Sequence, residues 1–150
     1  MALWTKDGKL VVDGAGKPID CDACPCRCPG TLNAEFSITS SGGNEGYTLT
    51  IDLGSVNTDA LAANSNRAGT WTITRDPYPA LSGPLTVYIS CDPVTGNLWA
   101  SVDTEEYMDE AGANASIAFG PGAMGETIAG TAGATGWGFT LSGTVTITKA

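Results

Sequence analysis

The chain has 150 residues, and seven Lys plus Arg against sixteen Asp plus Glu give a formal charge of −9. Such a surface repels duplex phosphate and anionic lipid, so neither nucleic acid nor a membrane is an expected partner. There is no His, which removes Ser/His/Asp and Cys/His nucleophiles, His-ligated zinc enzymes and the usual proton shuttle near neutral pH.

A chain of this length makes one ordinary domain. Charged residues supply 15% of it against about 25% in an average globular chain, and Gly, Ser, Thr and Asn supply much of the polar remainder. This composition suits a β-rich, extracellular or particle-associated protein. No basic stretch followed by an apolar run opens the chain, and no apolar run reaches the roughly 18 residues of a membrane-spanning helix.

In chain order, "TKDGK" is an Asp-Gly turn between Leu3-Trp4 and Leu10-Val11-Val12, which predicts a small two-stranded ribbon. "DGAGKP" at 13–18 breaks it. Residues 1–20 are therefore expected to form an N-terminal arm. A Cys/Pro-rich junction, residues 21–30, follows, and the body spans residues 31–150. Within the body, apolar residues recur with period two, the sign of half-buried strands. The runs are Phe36, Ile38; Tyr47, Leu49, Ile51, Leu53; Trp71, Ile73; Leu85, Val87, Ile89, Cys91; Leu98, Ala100, Val102; and Trp137, Phe139, Leu141, Val145, Ile147. "SSGGNEG" at 40–46 and "CDPVTGN" at 91–97 have the turn chemistry of hairpin loops. "TDALAAN" at 58–64 and "EEYMDEAG" at 105–112 each suit a short helical turn, and "GPGAMGETIAGTAGATGWG" at 120–138 reads as a long loop or irregular edge. The fold expected is all-β, with seven or eight strands in an antiparallel sandwich or jelly-roll-like domain carrying an extended N-terminal arm.

The densest chemistry is "CDACPCRCPG" at 21–30, which places Cys21, Cys24, Cys26 and Cys28 in eight positions; the one other cysteine is Cys91. Four thiolates suffice for tetrahedral zinc, so Cys21, Cys24, Cys26 and Cys28 are the candidate metal ligands. The spacing, however, lacks the paired C-x2-C knuckles of zinc ribbons, and Pro25 and Pro29 hold Cys24 and Cys28 extended. Disulfides are the favoured reading. Residues two apart in an extended strand lie roughly 6.6 Å apart, at the edge of bridgeable separation. A Cys21–Cys28 bond, or one from the cluster to Cys91, is easier. Reduced buried thiols are the third reading, and a thioredoxin-like centre is disfavoured because no βαβ pattern surrounds the cluster. In each favoured case the cysteines act as a structural staple and not as a catalytic centre.

Other candidates have bland alternatives. Asp103, Glu105, Glu106, Asp109 and Glu110 lack the calcium-loop pattern and read as a solvated acidic segment. Trp71, Tyr78, Tyr88 and Trp99 suit either a sugar-stacking platform or, more often for strand aromatics, core and interface packing. Trp4 sits on a ribbon too small to bury an indole alone, so Leu3, Trp4, Leu10 and Val12 form an expected assembly surface.

The stretches "LWTKDGKLVV", "DCDACPC", "GTWTIT" and "LTVYISCDPVTGNLWASV" together resemble small phage or prophage virion proteins, over the arm, the junction and the body to about residue 102. The resemblance implies a structural, non-enzymatic role in a particle and carries over no active-site residue and no cofactor. The expected role is capsid decoration or cement on the outer surface of the virion, with a tail or neck component next. The partners are then other virion proteins and further copies of the chain. A carbohydrate- or receptor-binding β-module and a subunit of a bacterial surface filament, an extracellular appendage, are the rival readings.

Overall fold

In a computed structural model, residues 5–6, 9–10, 28, 30–43, 46–59, 65–104, 115–133 and 138–150 are described. They form strands and turns, without a helix. The expected ribbon pairs β1 (Thr5–Lys6) with β2 (Lys9–Leu10) in antiparallel register, Thr5 opposite Leu10.

The body is one curled, antiparallel sheet of nine strands. These are β3 (Thr31–Gly42), β4 (Tyr47–Asp52), β5 (Ser55–Asp59), β6 (Ser65–Arg75), β7 (Tyr78–Cys91), β8 (Leu98–Asp103), β9 (Ser116–Gly122), β10 (Thr127–Gly133) and β11 (Phe139–Lys149). Their order across the sheet is β4-β6-β7-β8-β9-β10-β11-β3-β5. Strands β6 to β11 are thus an up-and-down meander, in which each strand pairs with the next in sequence. The N-terminal β3 then lies against β11 over its whole length, from Leu32 opposite Lys149 to Gly42 opposite Phe139.

The two ends of this order are halves of one stretch of chain. β4 pairs with β6 up to Asp52 opposite Thr70, and β5 pairs with β3 from Ser55 opposite Glu35. Only Leu53 and Gly54 separate them. Gly54 takes a φ of +61°, which a side-chain-bearing residue adopts only at a cost, and the chain bends there from one sheet edge to the other. Phe36 N–H donates to Gly54 O at 3.2 Å, and the Ser40 hydroxyl donates to Leu49 O, so the edges meet where the sheet curls round. Gly69 makes the bend possible from the opposite side: a Cβ on it would lie 2.4 Å from Asp52 O and 2.8 Å from Leu53 Cδ1.

Alternation decides what the curl encloses. Leu32 and Ala34; Trp71 and Ile73; Leu85, Val87, Ile89 and Cys91; Leu98, Ala100 and Val102; Ile117 and Phe119; and Leu141, Val145 and Ile147 all point into a single apolar core. The rings of Phe36 on β3 and Phe119 on β9 meet edge-on across that interior, with centroids 5.8 Å apart.

Three sequence expectations change. The chain does turn between β3 and β4, but no ladder joins these strands, because β4 takes β6 as its partner and β3 takes β11 and β5. Residues 58–59 belong to a strand, whereas the rest of 58–64, the stretch 105–112 and Trp137 lie outside the described residues. The glycine-rich stretch from 120 carries the end of β9 and all of β10, with Ile128, Gly130 and Ala132 in the inward register. Gly130 is small because its neighbours need the space: a Cβ there would sit 2.4 Å from Phe119 Cδ1 and 2.6 Å from Ala118 O.

Candidate functional site

Of the five cysteines, Cys28 and Cys91 are described, and they are bonded to each other. Cys28, three residues before β3, is joined to Cys91, the last residue of β7, with Cα atoms 5.8 Å apart and a sequence separation of 63. That separation is within the range a disulfide spans without backbone distortion. Both residues are buried. The bond fixes the junction to the sheet at the end where β3 begins and β11 finishes; there Ala150 N–H donates to Thr31 O at 3.1 Å.

The turn after Cys91 stiffens that end. Asp92 Oδ1 accepts from Val94 N–H at 2.8 Å and Asp92 Oδ2 from the Thr95 hydroxyl at 2.7 Å. The backbone closes the loop with Gly96 N–H donating to Asp92 O at 2.7 Å and Asp92 N–H to Asn97 O at 2.9 Å. The Thr95 hydroxyl, then the Val94 amide, hold the Asp92 carboxyl below the usual aspartate range, because both bonds favour its ionised form.

Other expected site residues fall differently. Cys21, Cys24, Cys26, Leu3, Trp4 and Val12 lie outside the described residues, and of Leu10 the backbone pairing alone is described. A zinc site built from all four junction cysteines would need the thiolate of Cys28, whose sulfur is bonded to Cys91. Among the described residues no three metal-ligating side chains gather. Of the acidic run, Asp103 ends β8, and Glu105, Glu106, Asp109 and Glu110 lie outside the described residues. The ends of that stretch are clamped. Buried Thr104 accepts from Ala115 N–H at 2.9 Å through its hydroxyl and donates to Ala115 O from its own N–H at 3.0 Å.

The four strand aromatics do not form one platform. Trp71 is buried in the core over Gly83, and its indole N–H makes no hydrogen bond. Tyr78 is exposed beneath the Arg75 guanidinium, which lies 5.4 Å from its ring centroid. Tyr88 is half-buried on the outward face of β7. Trp99, outward on β8, is 37% exposed, and a Cβ on Gly120 of the adjacent β9 would come within 2.9 Å of its Cδ1.

Beside that contact the sheet opens, within the glycine-rich stretch that begins at Gly120. The β9–β10 ladder stops at Phe119 opposite Gly130, while Thr127, Ile128 and Ala129 remain paired with β11. Between them is a shallow cleft of about 240 Å³ lined by Gly120, Pro121, Gly122, Glu126, Thr127, Ile128 and Ala129. The hairpin tip is held by Ala123 N–H donating to Glu126 Oε2 at 2.9 Å and Gly125 N–H to Ile147 O at 2.8 Å. Comparison with protein-family models, curated proteins and solved structures finds no match to this chain.

Proposed function

We propose that the protein is a non-enzymatic structural component of a phage virion, a decoration or cement protein that sits on the outer surface of the capsid and docks through its N-terminal arm. The observation that carries this reading is the Cys28–Cys91 bond. It ties the root of the arm to the rigid end of β7 and so fixes where the arm leaves the body. The ribbon supports the same reading, since β1 and β2 pair with each other in a sheet separate from the body's. Two strands of two residues cannot hold themselves together in water without a surface to lie on. On this account Leu3, Trp4, Leu10 and Val12 meet a neighbouring subunit. The body is a sandwich-like shell whose facing halves enclose the core, and repetition over the particle supplies avidity. A buried disulfide suits a chain that works outside a reducing cytosol.

Deleting residues 1–20 should abolish incorporation into particles while the body keeps its cooperative thermal transition. Full incorporation of the truncated chain sinks the proposal.

A further inference from the structure

We infer that the cleft between β9 and β10, with Trp99 at its rim, is a binding site for a single neutral sugar ring. The inference goes beyond the structural role above and does not depend on it.

Four observations converge. First, Trp99 is a large aromatic on the outward face of β8, diagonal to half-buried Tyr88 on β7. It pairs with Ser90 on β7, abuts Gly120 on β9, and the next strands present exposed Ala129 and half-buried Thr144. A partly exposed indole beside a glycine is a surface on which the C–H face of a pyranose can stack, and its ring N–H is a donor only. Second, the ladder stops where the cleft begins, so the peptide groups of Gly120–Gly122 bordering it lie outside the β9–β10 register. Sugar hydroxyls both donate and accept, and peptide groups and the Glu126 carboxylate, one oxygen of which holds Ala123 N–H, complement them, while the Thr127 hydroxyl is paired with that of Thr146.

Third, the size limits the ligand. About 240 Å³ falls below the roughly 300–1,000 Å³ of pockets for drug-sized molecules. It equals the share of about eight waters at ~30 Å³ each, the scale of one pyranose ring. Fourth, charge selects among sugars. Glu126 lines the cleft and the chain carries −9 overall, so sialic and uronic acids are repelled and a neutral hexose or N-acetylhexosamine is favoured.

The test uses the full 150-residue chain labelled with ¹⁵N and titrated with the methyl glycosides of glucose, galactose, mannose and N-acetylglucosamine. At least one should shift, saturably, the Trp99 indole N–H and the amides of Gly120, Gly122 and Thr127–Ala129. Trp99→Ala should weaken that binding by about tenfold or more, and Ala129→Leu, which fills the cleft from an exposed position, should do the same. Tyr78→Ala, at the start of β7 and more exposed to solvent than Trp99, should leave it unchanged. Thermal unfolding of each variant establishes that it is folded; should Trp99→Ala fail this control, Ala129→Leu decides. The inference is overturned if no glycoside shifts these resonances up to about 20 mM, a limit beyond which affinity falls under roughly 2.3 kcal/mol. It is equally overturned if Ala129→Leu binds as tightly as the wild type.

Discussion

Removing the staple is the sharpest perturbation of the body. In Cys28→Ala/Cys91→Ala the constraint lost from the unfolded chain is a loop closed at a sequence separation of 63, which spans β3 to β7. The chain-entropy relation gives about 14 cal/mol/K for a loop of that length, or about 4 kcal/mol at 25 °C. For a domain of 150 residues, each kcal/mol moves the thermal midpoint by about 2–4 °C, so the expected fall is roughly 8–16 °C. Alanine at both positions avoids a leftover thiol that could exchange with Cys21, Cys24 or Cys26. Differential scanning calorimetry of wild type and double variant, with and without reductant, measures the shift. Reductant should carry the wild type down towards the variant. A non-reduced peptide map of the wild type should contain a cross-linked pair holding Cys28 and Cys91. A variant that melts within about 2 °C of the wild type, or a map that joins Cys28 to Cys21, would refute the assignment of this bond as the staple.

Three further outcomes follow from the packing. Gly130→Ala drives a methyl into the Phe119 ring and Ala118 O, and should cost about 1–3 kcal/mol in denaturant unfolding, as overpacked cores do; a neutral result would mean that β10 does not lie under Phe119. Thr104→Val removes the acceptor of the Ala115 N–H while keeping the shape, and should cost about 1–3 kcal/mol, whereas Thr104→Ser should recover most of it. The Asp92 carboxyl titrates below its unfolded value because Thr95 and Val94 bond its ionised form. The stability it lends is therefore present above the unfolded aspartate pKa of about 3.9 and is lost as pH falls through the lower folded value. Carboxyl NMR should report that lower midpoint, and Thr95→Val should raise it; an Asp92 midpoint at or above 3.9 contradicts the turn geometry.

Much of the sheet was legible because parity is local. Leu85 to Cys91 and Phe139 to Ile147 alternate apolar and polar residues, and these are the strands β7 and β11. The same parity separates the tryptophans. Trp71 shares its register with Ile73 and is buried, while Trp99 is out of step with Leu98, Ala100 and Val102 and faces out. β10 was hidden because two of its three inward positions, Gly130 and Ala132, are small and imitate a loop in composition, Gly130 leaving room for Phe119. β5 was hidden for another reason: Ser55–Asp59 has one buried apolar residue, Val56, and is held by pairing with β3 more than by its own pattern. The partner of Cys28 could not be chosen among the cysteines from spacing alone. It depends on the meander bringing the end of β7 to the start of β3, a long-range result of the order in which strands pair. The cleft follows from where a ladder stops, which no residue type announces.

The central claim, that the arm docks this protein on a particle while the body is held at its root by the staple, is tested most directly by a density map of purified particles that contain the chain. The account predicts the β-body on the outer surface, residues 1–20 laid against a neighbouring subunit with the Trp4 side chain in contact, and continuous density between the Cys28 and Cys91 sulfurs. A map in which the chain is attached through its sheet face with the arm directed into solvent, or particles from which the chain is absent, would contradict it.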